Sequence, residues 1–415
     1  MRRRSSAWAI PVFTTAALLI ARSVAAPPIT DPTGASLPTG LELSTPWIHL
    51  VLAPLFTLWD GTSMLSMSRL KGLVVGLIVL YAGWRAVRFW RHRRLLREVG
   101  YAVLALTGFL LFVVVGATWH RPMIALSGVP DSVVVADFHS HTNASHDVQG
   151  LMRGWDLEAS RRWHRRAGFD AFFLTDHNTQ SPVMGPARDG VPYACEGVEI
   201  SAWRAHVVLL GSVDSIDRRP YTTSLAGVLR LIEDASTRFD AISIASIPEY
   251  ERNHWNNLEL FVATGLDGFE IVNASPKANE LSRVRRDSVI GLARRADRIV
   301  VGVSDQHGWG ATSMVWNLVP LGGRQPRDES PCPRILARLG TAGFEAVQVV
   351  ERHRLRAEAW WPAWLTPVGL VWETWRGMGW PLTLSWLAWV WAWAMLLHRW
   401  RHRAALAFPR SEGPR

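Results

Sequence analysis

Two hydrophobic periodicities divide the chain. In the middle, short apolar runs alternate with amphipathic stretches. The runs fall near 132–137, 170–175, 191–200, 205–211, 240–246, 267–272 and 298–304. Brief runs rich in Val, Ile and Phe between turn residues predict strands. Helical spacing intervenes at 156–167, 224–236, 278–295 and 334–341. Alternating strands and helices predict an α/β fold with a mostly parallel sheet. Seven or so units predict a barrel, whose ligands collect at the C-terminal ends of its strands.

The flanks follow another pattern. Residues 70–84 are apolar with one Lys, 99–119 form an apolar run with an uncharged core, and 380–397 form a third. Each is long enough to span a bilayer as a helix or nearly so. Residues 46–59 are apolar but short, which suits an interfacial or re-entrant segment. Residues 1–26 combine Met-Arg-Arg-Arg, an apolar stretch and a small-residue end. That is either a cleaved signal peptide or a signal anchor. Residues 27–40 read as an exposed Pro/Thr/Gly loop. The tail holds eleven tryptophans between 360 and 400, and 360–376 suit an amphipathic segment at the membrane surface, where Trp collects. The expected organisation is a membrane region at 1–125, an α/β domain at 126–358 and a C-terminal membrane helix with a basic tail at 359–415.

The formal charge of +10 changes little once located. Residues 130–356 are nearly neutral, and the excess Arg lies beside the apolar segments. There it is a topology signal rather than a nucleic-acid footprint. The arginine-dense turn at 85–97 and the tail at 398–403 both favour the cytoplasm, which places the middle block outside it. Cys195 and Cys332 are too few for a disulfide framework. They are either one bridge in an oxidising compartment or two thiols.

The candidate chemistry lies where strand-like runs meet polar residues. Val133-Val-Val-Ala136 leads into Asp137-Phe-His139-Ser-His141, and His146 follows. Residues i and i+2 of a strand share a face, so His139 and His141 can reach one ion, with His146 returning from the loop. A lone His-x-His is a weak signal. It gains weight from Asp176-His177 after 171–174, Glu199 and His206 around 207–210, and Asp305-Gln-His307 after 299–303. Imidazole and carboxylate groups in this mixture suit divalent Zn, Mn or Fe.

With those residues assembled, the block 132–310 resembles the PHP (polymerase and histidinol phosphatase) family. The resemblance implies a distorted (β/α)7 barrel holding up to three metal ions. It would give His139, His141, Glu199 and Asp305 to one ion, Glu199 and His206 to a second, and His146, His177 and His307 to a third. Gly197-Val198-Glu199 fits the family's glutamate better than Glu196 does. One position departs: where the family has His in Ala-His-Pro, this chain has Ile247 before Pro248. The second ion would keep only Glu199 and His206, with Glu249 or His254 as possible replacements.

The reading is a membrane-anchored metal-dependent phosphoesterase working through metal-activated water. Its partners would be a small phosphate ester or lipid-linked phosphate, and membrane lipid. Asp137 and Asp176 are expected to orient histidines, or else to cap loop ends. Arg252 and Arg204 are candidates for the substrate phosphate, and Asn273 for a hydrogen bond to substrate. Glu270 faces either the core or the site. The competing reading is a metal-binding or sensor module that has lost catalysis with the histidine at 247.

Overall fold

The computed structural model describes residues 6–89, 95–150, 152, 154–181, 192–211, 215–323 and 329–407. The arginines at 2–4, 91, 93 and 94 lie outside the described residues.

Twelve strands are present: β1 Ile29–Thr30, β2 Glu42–Ser44, β3 Ala125–Ser127, β4 Val133–Ser140, β5 Ala171–Leu174, β6 Tyr193–Ala202, β7 Ala205–Leu210, β8 Ile242–Ala245, β9 Gly268–Asn273, β10 Ile299–Val303, β11 Val315–Pro320 and β12 Gln348–Arg352. Ten of them form one curled sheet in the order β1-β12-β11-β4-β5-β6-β7-β8-β9-β10, and β2 pairs with β3. The expected strand–helix alternation is present, with helices Leu157–Ala167, Leu225–Thr237, Arg283–Arg295 and Cys332–Ala342. Three of these are capped as their sequences direct. Asp156, Ser224 and Ser282 each accept an N–H from the first turn, satisfying a donor that has no partner within the helix.

The sheet is mixed, where a mostly parallel one was expected. β4–β5–β6 and β8–β9–β10 pair in parallel. β7 runs antiparallel to both neighbours. Only Trp203 and Arg204 separate β6 from β7, and a two-residue link can make a hairpin but not a crossover. Arg204 takes φ +52° there. β11 and β12, which the apolar pattern did not mark, add antiparallel pairs beyond β4. Ile29–Thr30, inside the expected loop, pairs with β12.

The curl brings the end of β10 back to the end of β4. Asp305 N donates to His139 O at 2.9 Å, and His141 N donates to Gln306 O at 2.9 Å. Buried Asn317 spans the same seam, donating to Ala136 O and Gly302 O while accepting from Gly302 N. Side chains from the strands and from helix Arg283–Arg295 fill the main core, among them Phe138, Phe173, Val208, Ile244, Phe269, Val289 and Val301. Cys195 and Cys332 form a disulfide that ties β6 to helix Cys332–Ala342.

Among the described residues, three helices are long and apolar enough to cross a membrane: Met67–Ala86, Leu96–Thr118 and Trp380–Trp400. The shorter helix Ser6–Ser23 lies antiparallel to the last of these. Trp8 packs on Trp391 and His398, and Arg22 sits over Trp380. The short apolar stretch 46–59 packs within the protein. It forms helices Trp47–Val51 and Ala53–Ser63, whose Phe56, Trp59 and Asp60 are buried. Asp60 accepts from Arg121 and Arg352, pairing its buried charge. Helix Thr366–Gly377 packs through Gly369, Leu370 and Trp375. The 363–367 stretch before it rests on Gly76, where a Cβ would come within 2.2 Å of Trp364 O.

Candidate metal centre

The seam between β4 and β10 is also where ligand-type atoms converge. His139 Nε2 lies 3.0 Å from His141 Nε2 and 3.1 Å from Glu199 Oε2. Asp305 Oδ1 lies 3.2 Å from His141 Nε2 and 3.5 Å from His139 Nε2. The two histidines and Glu199 are buried, and Asp305 is nearly so. Backbone position explains the meeting. His139 and His141 come from the end of β4, Glu199 from β6, and Asp305 from the first turn after β10. Asp305 takes φ +46°, held there by its N–H bond to His139 O.

Three overlapping groups of potential ligands occur among the described residues: His139, His141 and Glu199; His177, Glu199 and His206; and His141, His177 and His307. Glu199 joins two of them. Its Oε2 lies 3.1 Å from His177 Nδ1 and its Oε1 lies 3.0 Å from His206 Nδ1. His177 therefore sits between the second and third groups. His206 opens β7, and the antiparallel direction of that strand brings it beside the end of β6. His146 is exposed and outside these groups, with its ring 5.1 Å from that of His177.

The residues suit a divalent ion. Atoms bound at about 2.1 Å to one ion stand roughly 3 Å apart when they are neighbours in an octahedron, and the Nε2 pair and the carboxylate oxygens are at that spacing. Two facing Nε2 atoms cannot satisfy each other unless one is protonated, whereas a shared cation satisfies both. Glu270 completes the case. Its Oε1 accepts from His139 Nδ1 at 2.6 Å, which leaves the Nε2 lone pair facing the pocket. Its Oε2 accepts from Ile247 N and Asn273 Nδ2.

Electrostatics follow from this crowding. Burial lowers His139, but Glu199, Asp305 and Glu270 outweigh it and hold the imidazole well above its usual value. Burial, with His307 and His139 nearby, pushes His141 down to about 4. Burial opposes protonation of His206 and His307 too, yet Glu199 lifts the first and Asp305 with Asp147 lift the second, each to about 9. Burial would raise Glu199, but His139, His177 and His206 draw it well below the usual range. These are values for the protein groups alone. A bound cation would favour neutral imidazoles.

Other expected residues lie beneath or away from the cluster. Asp137 does not touch a cluster ring. It accepts from Ser304 N and Oγ, and its Oδ2 lies 3.0 Å from His164 Nε2, so it fixes the turn that presents Asp305. Asp176 accepts from Thr142 N, Thr142 Oγ1 and Ser181 Oγ, and so pins the loop after His141. Arg252 is exposed, with its guanidinium on Lys277 O, and Arg204 is exposed over Trp203. Neither reaches toward the cluster. Asn273 is occupied by Glu270, Ile247 O and Ser275 N. Ile247 is buried in the core. Near the gap it leaves, Glu249 Oε2 stands 3.8 Å from His206 Nδ1. His254 is buried elsewhere, against Trp203 O. Glu196 is exposed.

Sequence reasoning missed Asp147 and left Glu270 open. Asp147 Oδ2 lies 2.9 Å from His307 Nε2 and 3.3 Å from His177 Nε2, which ties the third group together. A carboxylate inside an apolar strand was the available signal for Glu270, since such a group is buried only when paired.

No protein-family model and no curated protein sequence matches the chain. Among solved structures, a Bifidobacterium adolescentis protein assigned as a metal-dependent phosphoesterase is similar at 17% identity, over 42% of this chain and 88% of its own, with a TM-score of 0.31. PsfC from Pseudomonas syringae is similar at 15% identity, over 58% and 96%, with a TM-score of 0.37. An amidohydrolase from Chromobacterium violaceum, solved with bound sulfate and no metal, is similar at 15% identity, over 54% and 98%, with a TM-score of 0.30.

Proposed function

We propose that the chain is a membrane-embedded, metal-dependent phosphoesterase whose α/β domain lies outside the cytoplasm. The observation that carries the reading is the buried meeting of His139 Nε2, His141 Nε2, Glu199 Oε2 and Asp305 Oδ1 within 3.5 Å of their neighbours. The phosphate ester as substrate rests on the sequence resemblance to the PHP family.

Divalent ions held there would supply Lewis acidity, lowering the pKa of a water nucleophile and offsetting charge on phosphoryl oxygens. The protein's part is positional. Glu270 fixes the tautomer of His139 through Nδ1. Trp155 Nε1 donates to His141 O and anchors the second histidine. Glu199 spans two groups of ligands with its two oxygens. Asp147 holds the Nε2 edges of His177 and His307 together, and His307 Nδ1 donates to Asp305 O at 2.7 Å.

Two observations support the compartment. In the three long apolar helices, Arg85, Arg97 and the 398–403 tail gather at the ends remote from the domain, and only Arg69 and Lys71 lie at a near end. Positive ends of this kind stay in the cytoplasm. The Cys195–Cys332 disulfide also suits an oxidising space.

The test uses the full chain in nanodiscs. Metal analysis and hydrolysis of p-nitrophenyl phosphate are measured for wild type and for His139→Ala. Bound Zn, Mn or Fe with turnover lost in the variant is expected. Ile247 at the expected histidine position favours a second reading, a barrel that binds metal without catalysis. Bound metal with no turnover of any ester would select that reading.

A further inference from the structure

A cavity of about 180 Å³ lies between the metal centre and the membrane helices, and of the candidate ligands Asp305 borders it. Asp305 lines its inner end beside Ser304 and Gln306. Leu70, Val113 and Gly116 line its outer end. Leu70 belongs to the first turn of the span Met67–Ala86, and Val113 and Gly116 to the last two turns of Leu96–Thr118. One cavity therefore touches both a candidate metal ligand and the domain-side ends of two candidate spans.

Its lining is more apolar than its residue types suggest. Trp59 Nε1 donates to Phe112 O and Trp163 Nε1 to Gly310 O. The hydroxyls of Thr62, Ser63 and Ser313 donate to the carbonyls of Leu58, Trp59 and Val315. Those polar atoms are turned into the walls, and hydrocarbon faces the space. The outer end opens toward lipid for a second reason. Helices Met67–Phe89 and Leu95–Thr118 are not closely packed backbone to backbone along their described residues. Leu95–Thr118 is exposed along nearly its whole length, as a bilayer-facing helix would be.

We propose that this cavity takes the hydrocarbon tail of an amphiphilic phosphate ester drawn from the bilayer, with its phosphate at the metal centre. This rests on the phosphoesterase reading and names its substrate class. A water-soluble ester gains nothing from an apolar cavity remote from the phosphate. A tail that leaves the bilayer exchanges one apolar surrounding for another, so the cavity spares it the cost of exposure to water, about fourfold for each methylene. The position of the cavity at the domain-side end of both spans puts its mouth where lipid phosphates lie.

The experiment compares ethyl, butyl, octyl and dodecyl phosphate as substrates for the metal-loaded full chain in nanodiscs. kcat/KM should rise with chain length until the cavity is filled. Ala117→Trp and Ala274→Phe fill it from opposite walls and spare the ligands. Each should lower kcat/KM for dodecyl phosphate about tenfold or more and leave ethyl phosphate within about twofold. A readout independent of turnover is photo-crosslinking of metal-free protein by a diazirine-tipped alkyl phosphate. Adducts should map to Val113, Ala117, Ala274 or Met314. Equal turnover of all chain lengths with neither variant changing any, or adducts confined to outward positions such as Leu104 and Leu110, would overturn the tail site and leave the phosphoesterase standing. No turnover of any ester would overturn the phosphoesterase itself, and the substrate assignment with it.

Discussion

Glu270 shows what a single buried carboxylate does for a histidine ligand. Its Oε1 accepts a hydrogen bond from His139 Nδ1–H, so Nε2 presents a lone pair to the cluster. Glu270→Gln keeps the shape but replaces a charged acceptor with a weaker neutral one. Metal affinity should fall about 10–100-fold, measured by competition with a chelator, with the fold intact by circular dichroism. The proton balance gives a second test. In the metal-free protein, His206 and His307 hold protons up to about 9, and a metal must displace them. Apparent affinity should therefore rise with pH through neutrality and beyond, since His139 is also held well above its usual value, with protons released on binding. A flat pH dependence would show that none of the three rings enters the coordination sphere. Most of the candidate ligands were legible in the sequence because His139, His141, His177, Asp305 and His307 stand at or just past the end of an apolar strand, at a spacing that a strand converts into proximity. Glu270 was not, because Phe269 and Ile271 flank it and Val272 follows. In a strand buried on both faces, no alternation marks which side a carboxylate takes. Asp147 was hidden by its neighbour, since His146 is the stronger ligand type, although exposed and outside the three groups.

Among the elements, β12 carries a buried carboxylate with three arginine partners. Glu351 is buried and accepts from Arg286, Arg354 and Arg356. These arginines draw its carboxyl down to about 2 against the opposing effect of burial. Glu351→Ala would strand three guanidinium groups in a closed site and should cost about 3–5 kcal/mol, read as a lowered unfolding temperature of the full chain. The pH sign follows from the direction of the shift. The folded value lies below the ordinary 4.5, so the stabilisation is complete above that value. It is lost as pH falls toward about 2, and amounts to roughly 3 kcal/mol. The variant should therefore lose less stability than wild type across that acid range. The strand itself was not foreseen, nor was β11. Val315–Pro320 is broken by Asn317, which reads as a turn residue along the chain. Its role appears only in three dimensions, where it bonds its neighbour β4 and the edge strand β10. The direction of β7 was misjudged for a related reason. Its apolar run looks the same forward or reversed, and only the two-residue link to β6 decides.

At the scale of the whole molecule, the three long apolar helices found among the described residues were the easiest feature to read, since so long an apolar stretch has few other uses. What hydropathy could not show is that 46–63 turns inward and buries Asp60 against arginines from before and within the domain. That contact makes the orientation of the spans and the compartment of the metal centre one question. The Cys195–Cys332 bridge closes a separation of 137 residues, which in the chain-entropy account contributes about 5 kcal/mol. It can form only where thiols are oxidised. Blocking free thiols in intact cells, then denaturing, reducing and labelling, should find both cysteines protected as a disulfide. Cys195→Ser should lower the unfolding temperature in oxidising buffer but not in reducing buffer. Alkaline phosphatase fused after Ser127 should be active, and fused after Arg97 inactive, because the span Leu96–Thr118 separates the two points. Activity of the Arg97 fusion alone would invert the topology and put the domain in the cytoplasm. The bridge should then be found reduced in cells, while the ligand geometry, set by the curl of the sheet and not by the membrane, would still bind metal.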